Sequence, residues 1–361
     1  MSAAGSQHRY VPYDGSEENQ RGLLVIGGSG ELGWALVQAA ARAAKTPTLS
    51  GLRAVWATFR TRRPVADAAT AALLSEVKWF YLDTANSEAV SALVLRASST
   101  IGPALTVVFC AVPQHGGAAG HGGEEIRSGI VDHVLAAAKA STQCMFAGGD
   151  AHLKCRFVAI STDQVFDGVP PHAPYLTKDP RRPLNPYGRY KVEMENELCS
   201  LVHPDLVIAR TSLILTLGRR PSQDGKAIAF LRNALSSDRD SPVVLFVDEI
   251  RNMSWSEDLA QALLEIATCI QCDSDDERGC APTIIHLACS ETTNRFELVQ
   301  CLLAKQWVEY HPFATARIVA GLSAESGLHR PLDLTMNVES MVETGLVTRT
   351  HLRSIHEYLS S

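Results

Sequence analysis

The sequence predicts an α/β chain built on a doubly wound parallel sheet, with a smaller, discontinuous α/β lobe at the carboxyl end. Three observations predict it. The apolar run Leu23-Leu24-Val25-Ile26 enters Gly27-Gly28-Ser29-Gly30-Glu31-Leu32-Gly33 and then an Ala-rich helical pattern to Ala44. Short apolar runs then alternate with helical patterns long enough to be right-handed crossovers. The polar, chemistry-bearing stretches all follow the carboxyl ends of those runs, the edge where open α/β sheets bind their ligands.

In chain order, strands are expected at 54–58, 78–82, 104–109, 157–160 and 206–209, with helices near 65–75, 87–97, 124–140 and 186–202. Residues 255–268, with Leu259, Leu263, Leu264 and Ile266 at helical spacing, read as a helix returning to the sheet, and 283–287 as a last strand. The expected division is a flexible amino terminus at 1–20, a dinucleotide-binding Rossmann domain at 21–210 joined by 252–288, and a substrate-binding lobe from 211–251 and 289–361.

Composition narrows the class. At 361 residues, 46% hydrophobic and 20% charged, the chain is long enough for two cores. A formal charge of -6 argues against nucleic acid as the main partner. No apolar run approaches the roughly eighteen residues of a membrane span. The polar start, with Asp14, Glu17 and Glu18, resembles neither a signal nor a transit peptide, so a cytoplasmic location is expected. The nine cysteines, an odd number, read as free thiols. Cys269, Cys272 and Cys280 flank the acidic loop 273–277 but lack a fourth ligand, and His115 and His121 stand in a glycine-rich loop, so no metal is expected.

The glycine turn between strand and helix lets backbone amides at a helix amino terminus face a diphosphate without obstruction. The second strand ends Thr58-Phe59-Arg60-Thr61-Arg62-Arg63. It offers no acid for the ribose hydroxyls of NAD, whereas Arg60 fits a ribose 2'-phosphate through a planar, charged fork, which predicts NADP(H). Asp83, ending the third strand, is open to two roles: acceptor for an adenine amino group, or cap of the following helix.

The run Phe157-Val158-Ala159-Ile160 breaks into Ser161-Thr162-Asp163-Gln164 and resumes, after a proline-rich loop, as Asn185-Pro186-Tyr187-Gly188-Arg189-Tyr190-Lys191. Residues i and i+4 share a helix face, so Tyr187 and Lys191 point the same way. The ammonium of Lys191 is expected to favour the Tyr187 phenolate, and Thr162 to hydrogen-bond the reacting oxygen. Beyond them, Leu217 to Lys226 reads as a basic loop whose Arg219, Arg220 or Lys226 could contact a diphosphate.

These motifs, with Ala209-Arg210-Thr211-Ser212, Asp248-Glu249-Ile250-Arg251, Glu257-Asp258-Leu259-Ala260 and Arg330-Pro331-Leu332-Asp333-Leu334, resemble the extended short-chain dehydrogenase/reductases. The nearest subgroup is the dTDP-4-dehydrorhamnose reductase (RmlD-like) family, which also contains the regulatory beta subunit of methionine adenosyltransferase. The likeness runs from about residue 22 almost to the end. It implies that Thr162, Tyr187 and Lys191 are the catalytic set, that a 4-keto sugar on a nucleotide carrier is reduced at C4 with Tyr187 as acid, and that Asp163, Gln164 and Arg251 face the sugar. The cofactor site it implies comprises Gly27, Ser29, Gly30, Glu31, Leu32, Gly33, Arg60, Asp83, Thr84, Ala111, Val112, Tyr187, Lys191 and Ser212. It makes a homodimer an expected partner state.

The chain departs from the family pattern in two places. The fourth strand ends Phe109-Cys110-Ala111-Val112 where the family has Asn-Ala-Ala, and the next helix offers Arg127 or His133 where an Asn often relays protons. Gln164 stands where rhamnose-type reductases carry Tyr. A glutamine amide accepts no proton at neutral pH, which disfavours the related dehydratase chemistry. A non-catalytic NADP-binding regulatory subunit and an epimerase are the alternative readings. Insertions at 113–123 and 143–154 adjoin the cleft or an interface.

Overall fold

The computed structural model describes residues 10–64, 67–102, 104–112, 123–146, 154–218, 223–235, 242–271, 281–305, 318–327 and 330–361. Strands are β1 (Tyr10–Val11), β2 (Arg21–Ile26), β3 (Leu52–Phe59), β4 (Lys78–Tyr81), β5 (Ala104–Phe109), β6 (Lys154–Thr162), β7 (Leu206–Thr211), β8 (Ile214–Leu215), β9 (Val243–Phe246), β10 (Ser254–Trp255), β11 (Ile270–Gln271), β12 (Thr283–His286) and β13 (Ile318–Gly321). Helices are α1 (Glu31–Ala43), α2 (Pro47–Ser50), α3 (Ala68–Leu73), α4 (Ser87–Ile101), α5 (Glu124–Ile130), α6 (Asp132–Phe146), α7 (Pro186–Cys199), α8 (Lys226–Leu235), α9 (Ser256–Thr268), α10 (Arg295–Ala304), α11 (Glu339–Glu343) and α12 (Ile355–Tyr358).

Seven strands form one parallel sheet in the order β12-β7-β6-β5-β2-β3-β4. The order reverses between β2 and β5, and that switch point opens a crevice at the carboxyl edge. Strand β2 shows why the sheet is covered on both faces. Leu23 and Val25 enter a core with Leu36 and Val37 of α1 and Leu259, Leu263 and Ile266 of α9, whereas Leu24 and Ile26 enter another with Val90 and Val94 of α4, Ala137 of α6 and Met194 of α7. Strands buried on both faces need apolar residues at consecutive positions, the pattern read from the sequence.

A third core, with Leu215, Ile228, Leu231, Leu245, Trp255 and Leu298, lies in the carboxyl-terminal part, where β8 pairs with β10 and β9 with β13. From there α9 returns to pack on α1, and β12 adds the outermost strand beside β7.

Three expectations need correction. Of the segment 1–20, expected to be flexible, residues 10–20 are described, and there Tyr10–Val11 pairs antiparallel with Ile270–Gln271, with the Tyr10 ring and hydroxyl buried at 1% exposure. The helix expected at 124–140 is two helices, broken at Val131, where Gly129 and the β-branched pair Ile130-Val131 weaken helix propensity, and the second helix runs on to Phe146. The helix expected at 65–75 is the single turn and a half Ala68–Leu73, started by Asp67, whose carboxylate accepts from Thr70 N.

Candidate active site

A cleft of about 2480 Å³ runs along the carboxyl edge of the sheet, between the glycine turn, the ends of β3 to β6, the start of α7 and the second lobe. The turn itself is tight. Gly27 has φ +90, and a Cβ there would lie 2.6 Å from Ala111 N; a Cβ on Gly33 would lie 2.2 Å from Gly27 O. Gly30 is the N-cap of α1 and no side chain caps that helix, so its first amides stay available to an anion. Ser29, Gly30, Glu31 and Leu32 all line the cleft. The Glu31 carboxylate points away from its own helix, accepting from Thr216 Oγ1 at 2.8 Å and Lys226 N at 3.2 Å.

Arg60 and Arg62, beyond β3, line the cleft with Gln38 and Arg42, which α1 presents one turn apart. Thr58 is turned inward and accepts from Gly27 N at 2.9 Å. Asp83 and Thr84 also line it. Asp83 does not cap α4: Asn86 does, its Oδ1 accepting from Ala89 N at 2.9 Å, while Asp83 Oδ1 accepts from Ala85 N at 3.2 Å. Ala111 and Val112 follow β5 into the cleft, as does Cys110, whose thiol burial pushes up to about 12.

Thr162 is the last residue of β6. Helix α7 starts with Pro186 behind the cap Asn185, whose Oδ1 accepts from Gly188 N at 2.8 Å. A Cβ on Gly188 would lie 2.1 Å from Gln164 O, so a glycine is required for α7 to press against the end of β6. Tyr187 and Lys191 then face the cleft together, the Lys191 ammonium 6.0 Å from the Tyr187 ring centroid and donating to Ile160 O at 2.7 Å.

The expected lowering of the Tyr187 phenol is not what the surroundings produce. Burial, followed by the Asp163 carboxylate, raises it above its ordinary value, so the phenol is held as a proton donor. Burial brings Lys191 down to about 8, although Glu195 and Cys110 work against that. Glu195, one turn beyond Lys191, stays ionised despite its burial because Arg210 pairs with it, with Ser161 and Arg181 also donating.

Asp163 is a hub. It is 1% exposed and accepts from Thr162 Oγ1 at 3.1 Å, Ser212 Oγ at 2.7 Å and Arg251 Nη1 at 2.8 Å. Ser212 thus spends its hydroxyl on Asp163, though it lines the cleft. Gln164 is fixed by Asn185 Nδ2, which donates to its Oε1 at 2.8 Å. Of the two groups considered for a proton relay, His133 lines the cleft, whereas Arg127 is engaged with Glu193 and Glu124.

On the opposite wall the sequence singled out Arg251 but not the ion-pair cluster beside it. Glu249, 3% exposed, holds Arg295 at 2.5 Å and Arg330 at 3.2 Å, and all three line the cleft with Arg251. The Arg330-Pro331 motif was a signal for one of them; Arg295 sits in an ordinary helix start and carried none.

Arg219, Arg220, His115, His121, Cys272, Cys280 and most of the two insertions lie outside the described residues. Cys269 is buried against Arg156, whose Nη1 donates to its sulfur at 3.1 Å. Among the described residues no group of three or more His, Cys, Asp and Glu is arranged to hold a metal ion, and no helix is long and apolar enough to cross a membrane.

The profile of the family described as the RmlD substrate binding domain matches residues 21–361. A dTDP-4-dehydrorhamnose reductase of Mycolicibacterium smegmatis is 29% identical over 140 residues, 39% of this chain and 38% of that protein. The matched stretch spans about two fifths of the length of the curated relatives. Among solved structures, a Bacillus anthracis dTDP-4-dehydrorhamnose reductase in complex with NADP superposes with a TM-score of 0.61 at 17% identity, covering 94% of this chain and 97% of that one. A Bacillus cereus UDP-glucuronic acid 4-epimerase in complex with UDP-glucuronic acid and NAD does so at 0.61 and 17%, covering 94% and 96%, so the fold serves both reactions. With nearly the whole length matched from the first sheet strand onward, the chain belongs to the RmlD substrate-binding-domain family.

Proposed function

We propose that this protein is an NADP(H)-dependent reductase of a 4-keto nucleotide sugar, acting in the cytoplasm, with Tyr187 protonating the C4 oxygen. The observation that carries this reading is the pairing, in one cleft, of an uncapped helix amino terminus behind a glycine turn with a Tyr187–Lys191 pair on one face of α7.

The residues fit a phosphorylated dinucleotide. Gly27, Gly28 and Gly33 leave no room for a Cβ, which keeps the turn tight and its backbone open to a diphosphate, and Arg60 stands beyond β3 in a stretch with no acid. Asp83, Thr84, Ala111, Val112 and Lys191 complete the holding set, with Ser212 at its border. NADPH, when bound, supplies the hydride. The Bacillus anthracis structure of the same fold, solved in complex with NADP, supports that choice.

The chain's own groups do the rest. Tyr187, kept protonated by burial and Asp163, gives its proton to the carbonyl oxygen as that oxygen becomes negative. Lys191 steadies the phenolate left behind. Thr162 exchanges its bond to Asp163 for one to the reacting oxygen, and the Ser212 and Arg251 bonds keep Asp163 satisfied meanwhile. Among the described residues Arg251 pairs with Asp163 while Arg295 and Arg330 share Glu249, three guanidinium groups on two carboxylates, which suits a diphosphate carrier.

The test is NADPH oxidation with a panel of 4-keto dTDP- and UDP-sugars. Oxidation with at least one member supports the reading. Substrate conversion with no net NADPH consumption would replace it with an epimerase, and NADPH binding with no turnover of any sugar would replace it with a regulatory binding subunit.

A further inference from the structure

One carboxylate joins the starts of three helices. Glu31 opens α1, yet its side chain leaves that helix and accepts from Lys226 N, the first amide of α8, and from Thr216 Oγ1. Thr216 is also hydrogen-bonded to Ser256 Oγ at 2.8 Å, and Ser256 opens α9. A carboxylate at a helix amino terminus satisfies an otherwise orphan amide and complements the dipole. The contact is close-fitting. A Cβ on Gly225 would lie 1.8 Å from Glu31 Oε1, and Gly225 N donates to Thr216 O at 2.9 Å. Asp224 in turn accepts from Gly218 N at 2.9 Å and pairs with the buried Arg232 of α8, so the residues before the helix are tied to its body.

Ala227 and Phe230 of α8 line the same cleft as the glycine turn. An acid beside a diphosphate site would ordinarily repel the ligand; here its charge is turned onto another helix. We infer that Glu31 is a positioning residue that seats α8, and with it the second lobe's wall, on the glycine turn, so that filling the dinucleotide site and forming the sugar site are one coupled event. This rests on the dinucleotide reading above.

Amide hydrogen exchange of residues 226–235, without and with NADPH, tests it in the wild type, E31A, E31Q and G225A. Without ligand, E31A and G225A should exchange roughly five- to tenfold faster in the first turns of α8, as loss of a cap predicts. E31Q keeps an acceptor oxygen for Lys226 N and should stay within about twofold of wild type. NADPH should protect α8 in the wild type and not in E31A, whose KM for the sugar should rise by more than its kcat falls. Unchanged α8 exchange in both E31A and G225A would overturn the proposal, and so would an E31A protein that loses NADPH affinity while α8 stays at its wild-type rate. If NADPH protects no segment of the wild type, the coupling and the dinucleotide reading both fall, while the ligand-free comparison still decides whether Glu31 seats α8.

Discussion

The two edges of the central sheet carry nearly the same cast of side chains and put them to opposite use. At the amino edge Arg156, 0% exposed, donates to both oxygens of Asp205 and to the carbonyls of Ile266 and Cys269, and the Tyr10 ring covers its guanidinium at 4.9 Å while the Tyr10 hydroxyl reaches Asp205 at 3.2 Å. At the carboxyl edge Tyr187, Lys191 and Asp163 form a comparable phenol, cation and carboxylate group beside an open cleft. The first set is closed by strand β1 and spends most of its polar groups on each other and on nearby carbonyls, with Arg156 Nη2 buried without a hydrogen-bond partner among the described residues. The second keeps a phenol proton and a set of helix amides for something from outside. Residue type does not separate a site from a staple; which end of the strands it occupies, and whether anything covers it, does.

The largest effect expected from that contrast is on stability. Asp205→Ala would leave Arg156 buried without a counter-ion and should cost about 3–5 kcal/mol in urea unfolding, with NADPH affinity of the folded protein unchanged. A loss below about 1 kcal/mol would mean that the amino edge is not the closed staple described here. At the other edge, Arg60→Ala should raise the KM for NADPH roughly ten- to hundredfold, as the loss of charge-assisted hydrogen bonds predicts, and barely change that for NADH. An unchanged KM for NADPH would remove the NADP assignment.

The Lys191 ammonium titrates near 8, below its ordinary 10.5, because burial disfavours its charge. Activity that needs this charge should therefore fall as pH rises through about 8, and Lys191→Met should abolish that limb. The sign for stability is the reverse. Between about pH 8 and 10.5 the unfolded chain binds the proton more tightly than the folded one, so unfolding free energy should rise with pH across that window in the wild type and not in Lys191→Met. The smallest effect is at the strap: Tyr10→Phe keeps the ring over Arg156 and loses the hydroxyl bond to Asp205, for about 1 kcal/mol in thermal or urea unfolding.

Much of the fold was legible because its signals are local. A strand, a glycine turn and a helix follow one another between Arg21 and Ala43, and the Tyr187–Lys191 spacing fixes a shared helix face wherever the helix goes. What escaped depends on contacts across the chain. Glu249, Arg295 and Arg330 meet only once the second lobe is folded, and the motifs around Glu249 and Arg330 do not announce that Arg295 joins them. Tyr10 looked like part of a polar tail, since its partners Asp205 and Gln271 are far away in sequence. The direction of the Tyr187 shift was misjudged for a related reason: the charge of Lys191 was visible in the motif, whereas the burial and the facing Asp163 that outweigh it belong to the tertiary structure.

The central claim is that Tyr187 gives a proton to a substrate in this cleft, and one paired measurement reaches it. NADPH oxidation with the best 4-keto nucleotide sugar should fall by roughly a hundredfold or more in Tyr187→Phe, as removal of a general acid predicts. NADPH affinity and the unfolding midpoint should stay close to wild type. A Tyr187→Phe protein that turns over at nearly the wild-type rate, with NADPH bound as before, would contradict the account.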